Sequence, residues 1–194
     1  MITKNDNPFQ FLAGKNLNPI IEIYFQTNHL KHLLRQGWLA RGIPEDKCES
    51  VGDHSFAVAL FAMMIAKKYF PELDMMKLIK MSLVHELGEI DGGDITPHDG
   101  IDKKEKYAIE EKGIRKMFAN FPEGEEYLEL WLEFEENRSA EAKFVKQIDK
   151  LEMAMQAAVY AKQYGKNLDE FIASARGRIT DKKLISLLDE LKKI

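Results

Sequence analysis

Residues 83–94 read LVHELGEIDGGD, a segment with one histidine and four acidic residues in the ten positions from His85 to Asp94. Apolar residues precede it, and no lysine occurs between Lys80 and Lys103. A buried His-Glu pair needs a partner or a bound metal, because an isolated charge inside a protein is strongly destabilising. The segment therefore predicts a metal or acid–base site at the C-terminal end of a helix.

The composition is typical of a globular protein of about one domain. The chain has 194 residues, of which 45% are apolar, and a net charge of −4, which argues against nucleic acid as a main partner. No apolar run is long enough to predict a membrane span, and Met1–Pro8 lacks the apolar core of a signal peptide. Cys48 is the only cysteine, which excludes an internal disulfide and favours a cytoplasmic setting.

Apolar residues recur at helical spacing along the chain, and no alternating strand pattern is found. The predicted helices cover residues 19–34, 55–70, 75–89, 103–119, 123–137, 140–164, 168–175 and 181–193. The loops between them include residues 35–53 and 91–101, the second broken by Gly92, Gly93, Pro97 and Gly100. The sequence predicts one all-α domain over residues 1–194, with its core at about 18–165 and a C-terminal helical extension at 166–194.

Residues of the types that cap helices stand at several predicted ends. Asn18, Asp74, Asp102 and Ser139 are predicted to begin helices, and Gly165 to end one. The second predicted helix follows directly after His54 and is apolar nearly all round. That pattern predicts a central helix with Phe56, Phe61, Met63 and Met64 in the core.

Four candidate metal ligands lie on apolar helices or at their ends, namely His54, His85, Glu86 and Asp149. Two imidazoles and two carboxylates suit a divalent first-row ion with open positions for water. Such an ion activates water and polarises a phosphoryl oxygen. Taken singly, His54 has the alternative of a capping or core histidine, and Asp149 that of an acid paired with a neighbouring lysine.

The order His … His-Glu … Asp resembles that of the HD-domain metal-dependent phosphohydrolases, whose doublet is His-Asp. Five further segments resemble the 5′-deoxynucleotidase subgroup, and the likeness extends over residues 30–164. The segments are Gly37-Trp38, ESVGDHS at 49–55, LVHELGE at 83–89, GDI at 93–95 and AEAKFVKQIDK at 140–150. The resemblance implies a single-domain, HD-type helical bundle.

The resemblance also implies roles for individual residues. His54, His85, Glu86 and Asp149 occupy the positions of the metal ligands. Glu89 matches an acid that serves in acid–base catalysis, and Asp94 one near the substrate and the attacking water. Both have the alternative of ordinary loop or cap acids.

The substrate-binding residues implied by the resemblance lie in the loop at 35–53. Trp38 matches a tryptophan beside the nucleoside sugar, with the alternative of a core residue. The family carries an arginine immediately before this tryptophan, where it helps to bind phosphate, but this chain has Gly37. Arg35 or Arg41 is therefore expected to bind the phosphate. His29, His32 and His98 match no family position and are predicted to lie at the surface or behind the site.

Glu86 is the main departure from the family, because it is one methylene longer than the usual aspartate. The carboxylate must fold back or the ion must move, and metal binding is expected to survive. The resemblance implies a divalent metal cofactor (Mn, Co, Mg, Fe, Ni or Zn), a small phosphorylated substrate and a homodimer, with no nucleic acid or membrane as partner.

The predicted function is removal of the 5′-phosphate from (deoxy)nucleoside monophosphates, with water attacking phosphorus in line with the departing 5′ oxygen. Two alternatives remain open at the level of the sequence. One is hydrolysis of another small phosphorylated metabolite or a phosphodiester. The other is a non-catalytic relative that binds a nucleotide or a protein partner.

Overall fold

The computed structural model describes residues 1–96 and 99–194, and helices make up most of them. The helices are α1 (Pro19–Asn28), α2 (Gln36–Leu39), α3 (Val51–Tyr69), α4 (Met75–Val84), α5 (Glu89–Gly92), α6 (Lys103–Phe118), α7 (Glu125–Glu135), α8 (Ala140–Tyr164), α9 (Asp169–Arg178) and α10 (Lys182–Glu190). Two isolated β-bridges, Thr3 with Leu33 and Leu34 with Ser50, are the only extended pairings among the described residues. The prediction of an all-α fold is confirmed.

Two predictions fall on residues outside this description. Pro97 is a predicted breaker of the loop after α5, and His98 a histidine predicted to lie away from the ligand cluster. Within the described part of the chain, no helix combines the length and the apolar character needed to cross a membrane.

The predicted caps are confirmed by their hydrogen bonds. Asn18 Oδ1 accepts a hydrogen bond from the N–H of Ile20, in the first turn of α1, at 2.9 Å. Asp102 and Ser139 accept backbone N–H groups of α6 and α8 at 2.8–3.0 Å. Asp74 accepts one from α4 at 3.0 Å, and Gly165 ends α8 with φ +63°. Each of these bonds satisfies a backbone group that a helix end leaves without an intrahelical partner.

Several helix boundaries differ from the predictions. The first helix ends at Asn28 and continues only as a 3-10 turn at His29–Lys31. The predicted loop at 35–53 contains α2 and the first residues of α3, so His54 lies inside the first turn of α3 rather than before it.

The most important difference concerns α4, which ends at Val84 and not near Glu89. The next turns tighten to three-residue bonds, from Leu87 N–H to Val84 O and from Glu89 N–H to Glu86 O. Helix α6 approaches this turn so closely that a Cβ at Gly88 would lie 2.7 Å from the Glu110 Cβ, which leaves room only for glycine at this position. The His85–Glu86 pair therefore stands in a turn between α4 and α5.

The residues cluster into two compact units. The first comprises residues 1–55 and 84–132, and the second residues 56–83 and 133–194. In the first unit α5 packs against α6, and the rings of Tyr107 and Trp131 stack with centroids 5.6 Å apart. Fully or almost fully buried side chains here include Leu33, Leu34, Trp38, Ile114 and Trp131.

In the second unit α9 and α10 pack against α8. Leu168, Leu184 and Leu188 are buried, and Gln147 Oε1 accepts the N–H groups of Thr180 and Asp181 at 2.8 and 2.9 Å. The C-terminal helices are thus tied to the long helix. The predicted boundary near residue 165 between core and extension stays a prediction.

The prediction that Phe56, Met63 and Met64 of α3 lie in the core is wrong. Phe56 is 66% exposed, Met64 56%, and Leu60 and Met63 38% each, while Phe61 is only half-buried. Leu60, Met63 and Met64 lie four, seven and eight residues after Phe56, so these four side chains share one face of the helix. The small residues Ala59, Ala62 and Ala66 are buried on the other side. An apolar sequence does not reveal which face of a helix a neighbour covers.

Candidate active site

Two predicted ligands, His54 and His85, approach one oxygen atom of a third, Glu86, in the first unit. The side chains of His54 and His85 are buried, and their ring centroids lie 5.6 Å apart. His54 Nε2 lies 3.7 Å and His85 Nε2 3.6 Å from the same atom, Glu86 Oε1. The first turn of α3 supplies one histidine, and the turn after α4 supplies the other two side chains.

The donor atoms fit a divalent metal ion. Imidazole nitrogens and carboxylate oxygens bind such ions at about 2.0–2.2 Å, so two donors on one ion stand roughly 3–3.6 Å apart. The observed separations of 3.6 and 3.7 Å are close to that range and too long for ordinary hydrogen bonds. A set of two nitrogens and one anionic oxygen suits a first-row transition metal. The longer side chain of Glu86 therefore still brings its carboxylate to the histidine pair.

Asp149, the fourth predicted ligand, lies on α8 in the second unit. Its side chain is buried, and its Oδ2 lies 2.9 Å from Lys150 Nζ. The pairing with a neighbouring lysine, which the sequence left as an alternative, is thus present. Glu152, a buried acid three residues further along the same helix, was not singled out in the sequence.

Arg35 pairs with two acids of this region, Glu86 and Asp94. Its Nη1 lies 3.4 Å from Glu86 Oε1 and 3.4 Å from Asp94 Oδ1, and only 13% of its side chain is exposed. Burial by itself lowers the pKa of the guanidinium, but Asp94, Glu86 and Glu89 outweigh that effect and raise the pKa well above its usual range. Arg35 therefore carries a fixed positive charge beside the candidate metal ligands.

Asp94 is positioned by the backbone on both sides. Gly93 precedes it with φ +81°, a left-handed conformation that glycine adopts without strain, and reverses the chain after α5. The N–H of Gln36, at the start of α2, donates to Asp94 Oδ2 at 2.6 Å. The segment at 92–94 therefore returns toward Arg35, as a glycine turn there predicts.

Glu89 is the most deeply buried acid of the cluster, with 2% of its surface exposed. Its Oε1 lies 3.6 Å from Lys106 Nζ, and its Oε2 has no hydrogen-bond partner among the described residues. Burial, followed by repulsion from Glu86 and Asp94, raises the pKa of Glu89 well above its usual range. A raised pKa favours the protonated carboxyl group, which can donate a proton to a leaving group.

The predicted substrate contacts have different surroundings. Trp38 is 2% exposed, and its Nε1 donates to Glu49 Oε1 at 2.6 Å, so its indole is part of the core. Arg41 is half-buried in the turn after α2, where its N–H donates to Trp38 O. A direct contact of Trp38 or Arg41 with a substrate stays a prediction.

Sequence reasoning missed two residues of this region. Glu49 binds the indole of Trp38 and accepts the Arg35 N–H through its carbonyl at 3.1 Å. Lys106 reaches Glu89 from α6, where it is one of several lysines in a strongly charged helix. Neither residue carries a local signal. These partners of Glu49 are more than ten residues away in the sequence, and Lys106 looks like any other lysine of its charged helix.

Comparison with known proteins places the chain in a family. A family model described as "HD domain" matches residues 27–191, so this chain belongs to the HD-domain family.

Proteins named 5′-deoxynucleotidase HDDC2 are among its relatives. The one from Dictyostelium discoideum is 39% identical over 170 residues, covering 81% of this chain and 88% of that protein. The one from Bos taurus is 32% identical over 190 residues, covering 96% and 90%.

Among solved structures, a conserved hypothetical protein from Pyrococcus furiosus superimposes with a TM-score of 0.74 at 28% sequence identity. The match covers 90% of this chain and 99% of that one. The predicted membership of the HD-domain family is confirmed.

Proposed function

We propose that this chain is a metal-dependent phosphomonoesterase that removes the 5′-phosphate from deoxynucleoside monophosphates. The observation that carries the proposal is the convergence of His54 Nε2, His85 Nε2 and Arg35 Nη1 on Glu86 Oε1, at 3.7, 3.6 and 3.4 Å. Three nitrogen groups around one carboxylate combine a site for a cation with a fixed positive charge for a phosphate. The relatives named 5′-deoxynucleotidase supply the substrate class.

We assign His54, His85 and Glu86 as metal ligands, with Asp149 as the fourth. The assignment of Asp149 is supported by its place in the motif order and by its burial on α8, where most of the other buried residues are apolar. The chemical nature of the four donors supports a divalent ion such as Mn²⁺ or Co²⁺ without selecting one. When bound, such an ion polarises a phosphoryl oxygen and lowers the pKa of water.

The remaining steps belong to the protein side chains. The guanidinium of Arg35 offers further N–H groups to the phosphate oxygens and stabilises the charge that develops on them. Asp94 is fixed by the Gln36 N–H and by Arg35, and its role is to orient the attacking water.

Glu89 is assigned as the general acid for the departing 5′ oxygen. Its Oε2 accepts no hydrogen bond from the described residues, and its burial favours the protonated form. General acid catalysis of this kind contributes typically about 10²–10⁴-fold. Trp38 and Arg41 complete the proposed substrate side, Trp38 as a buried support beside the sugar and Arg41 as a second phosphate contact.

A substrate and metal screen tests the function. Protein purified without chelator is assayed for phosphate release with Mn²⁺, Co²⁺, Mg²⁺ or no metal, against matched 2′-deoxy and ribo 5′-monophosphates, 3′-monophosphates and a phosphodiester. We expect metal-dependent release from the deoxy 5′-monophosphates. Equal rates on ribo- and deoxynucleotides would overturn the sugar preference. Turnover of the phosphodiester alone would change the reaction class, and binding without turnover would make the chain a non-catalytic relative.

A homodimer in the cytoplasm is a further part of the proposal. The exposed apolar face of α3, formed by Phe56, Leu60 and Met63, supports a contact with a second copy, because exposed apolar patches commonly mark interaction sites. A sequence with Cys48 as its one cysteine suits a reducing compartment.

A further inference from the structure

Lys106 lies in the first turns of α6 and reaches into the acidic cluster. Its Nζ lies 3.1 Å from the carbonyl oxygen of Ile95, 3.3 Å from Glu110 Oε1 and 3.6 Å from Glu89 Oε1. Only 34% of its side chain is exposed. Three oxygen atoms therefore surround the ammonium group, and the rest of the protein shields it in part from water.

The charge of Lys106 is matched to its surroundings. Glu89 and Glu110 are both buried, and the ammonium group lies 3.6 and 3.3 Å from an oxygen of each. Burial lowers the pKa of the Lys106 ammonium, but Glu89 and Glu110 outweigh this and raise the pKa above its usual range. The side chain therefore stays cationic between the two acids.

The contact with Ile95 connects two parts of the candidate site. Ile95 follows Asp94, and its N–H is bonded to Gly93 O at 2.9 Å. Lys106 thus ties the residue after Asp94 to α6, while its other contact lies at Glu89, the first residue of α5. A single ammonium group therefore contacts Glu89 before the glycine turn and the backbone of the residue that follows Asp94 after it.

We propose that Lys106 is a positioning residue that sets Glu89 and Asp94 in their working arrangement without touching the substrate. This inference rests on the proposed phosphomonoesterase function. Loss of the ammonium group removes the contact with Glu89 Oε1 and releases the chain at Ile95. The rate of the chemical step is then expected to fall while substrate binding is largely kept.

Lys106→Met tests the proposal, with Lys116→Met as its matched control. Lys116 lies on the same helix and also pairs with an acid, Asp91 at 3.0 Å, but 64% of its side chain is exposed. We expect Lys106→Met to lower kcat about 10–100-fold, as for other residues that orient groups of a metal site. KM is expected to change less than about twofold, since the residue contributes no substrate contact. Lys116→Met is expected to leave both constants unchanged.

Lys106→Arg is expected to recover part of the rate, because arginine keeps the charge and can donate to the Ile95 carbonyl. If Lys106→Met fails to fold, the double variant Lys106→Met/Glu110→Gln removes one acid together with the cation and keeps the charge balance. The same loss of kcat in that folded variant supports the positioning role. An unchanged kcat in either folded variant, or a rise in KM alone, would overturn it.

Hydrogen exchange measures the positioning contact independently of activity. Amides of the segment at 91–96 are expected to exchange about tenfold faster or more in metal-free Lys106→Met than in Lys116→Met or the unmodified protein, since the segment loses a hydrogen-bonded anchor. Unchanged exchange would overturn the inference. An unmodified protein that hydrolyses no substrate would overturn the proposed function, and exchange would then decide the contact alone.

Discussion

Arg35 Nη1 lies 3.4 Å from Glu86 Oε1, although the two residues are 51 positions apart in the sequence. Their side chains are 13% and 16% exposed, so water screens this ion pair only in part. The same carboxylate oxygen faces both histidines, and the arginine therefore supplies positive charge where a metal ion is expected to bind. Stability and metal binding should consequently be linked through Arg35.

Replacement of Arg35 by Met should destabilise the metal-free protein by about 3 kcal/mol, because it leaves two largely buried carboxylates without their cation. Added Mn²⁺ should recover part of this loss, since the ion compensates the charge of Glu86. Urea denaturation with EDTA or with Mn²⁺ measures both effects. Arg115→Met is the control, because its pair with Glu111 is on the surface, and such pairs contribute roughly 0–1 kcal/mol. Equal losses for the two variants would contradict the prediction.

At position 86, metal binding should tolerate a shorter carboxylate better than a neutral side chain of the same length as glutamate. Glu86→Asp restores the doublet of the family and is expected to keep Mn²⁺ binding and to keep or raise activity. Glu86→Gln removes the anionic donor and is expected to weaken Mn²⁺ binding by about 100-fold or more, which corresponds to about 2.7 kcal/mol. Isothermal titration gives the affinities. Complete loss of activity in Glu86→Asp would show that the site is built around the longer side chain.

The stability of the metal-free protein should depend on pH through Glu89. Because the folded pKa of Glu89 is raised, its contribution to stability is fully present below the ordinary pKa of glutamate and is lost as pH rises through the raised value. Glutamine does not ionise. As pH rises within this window, the unfolding free energy of Glu89→Gln relative to that of the unmodified protein should therefore increase by up to about 1.4 kcal/mol per pH unit. Urea denaturation between pH 4 and 8 with EDTA gives the two curves.

Glu133→Gln is the opposite control for this titration. Burial raises the pKa of Glu133, but the hydrogen bonds from Lys77 and Ser139 and the positive charges of Lys77 and Arg138 together outweigh this and lower the pKa. Its contribution should be present above the ordinary pKa of glutamate and be lost as pH falls through the lowered value. Parallel curves for Glu89→Gln and the unmodified protein would contradict the assignment of a raised pKa.

Phe56→Glu should dissociate the proposed homodimer, because it places a charge on the exposed apolar face of α3. Phe11→Glu is the matched control, since Phe11 is 61% exposed and Phe56 66%, and it lies in the N-terminal 3-10 turn of the first unit. Sedimentation velocity is expected to show a dimer for the control and a monomer for Phe56→Glu. A monomeric unmodified protein would contradict the proposal of a dimer.

The sequence by itself determined the longer helices, several of their caps and the order of the candidate ligands. These signals are local: the Asn18 and Asp102 side chains bond to N–H groups two or three residues away, and apolar spacing marks a helix wherever it lies. The order His54, His85-Glu86, Asp149 also carried the family, because chemistry at a metal site restricts which residue types can stand at its ligand positions.

Tertiary structure alone decided the end of α4 at Val84 and the partners of the charged residues. The turn that presents His85 and Glu86 has α6 so close to Gly88 that only glycine fits there, and no signal within α4 itself predicts this contact. Arg35 pairs with Asp94, which is far away in the sequence. Lys106 pairs with Glu89, but in the sequence it is one of several lysines in a charged helix. Phe56 was predicted to be buried and is exposed, because burial depends on which face a neighbouring element covers, and that is a property of packing rather than of the helix itself.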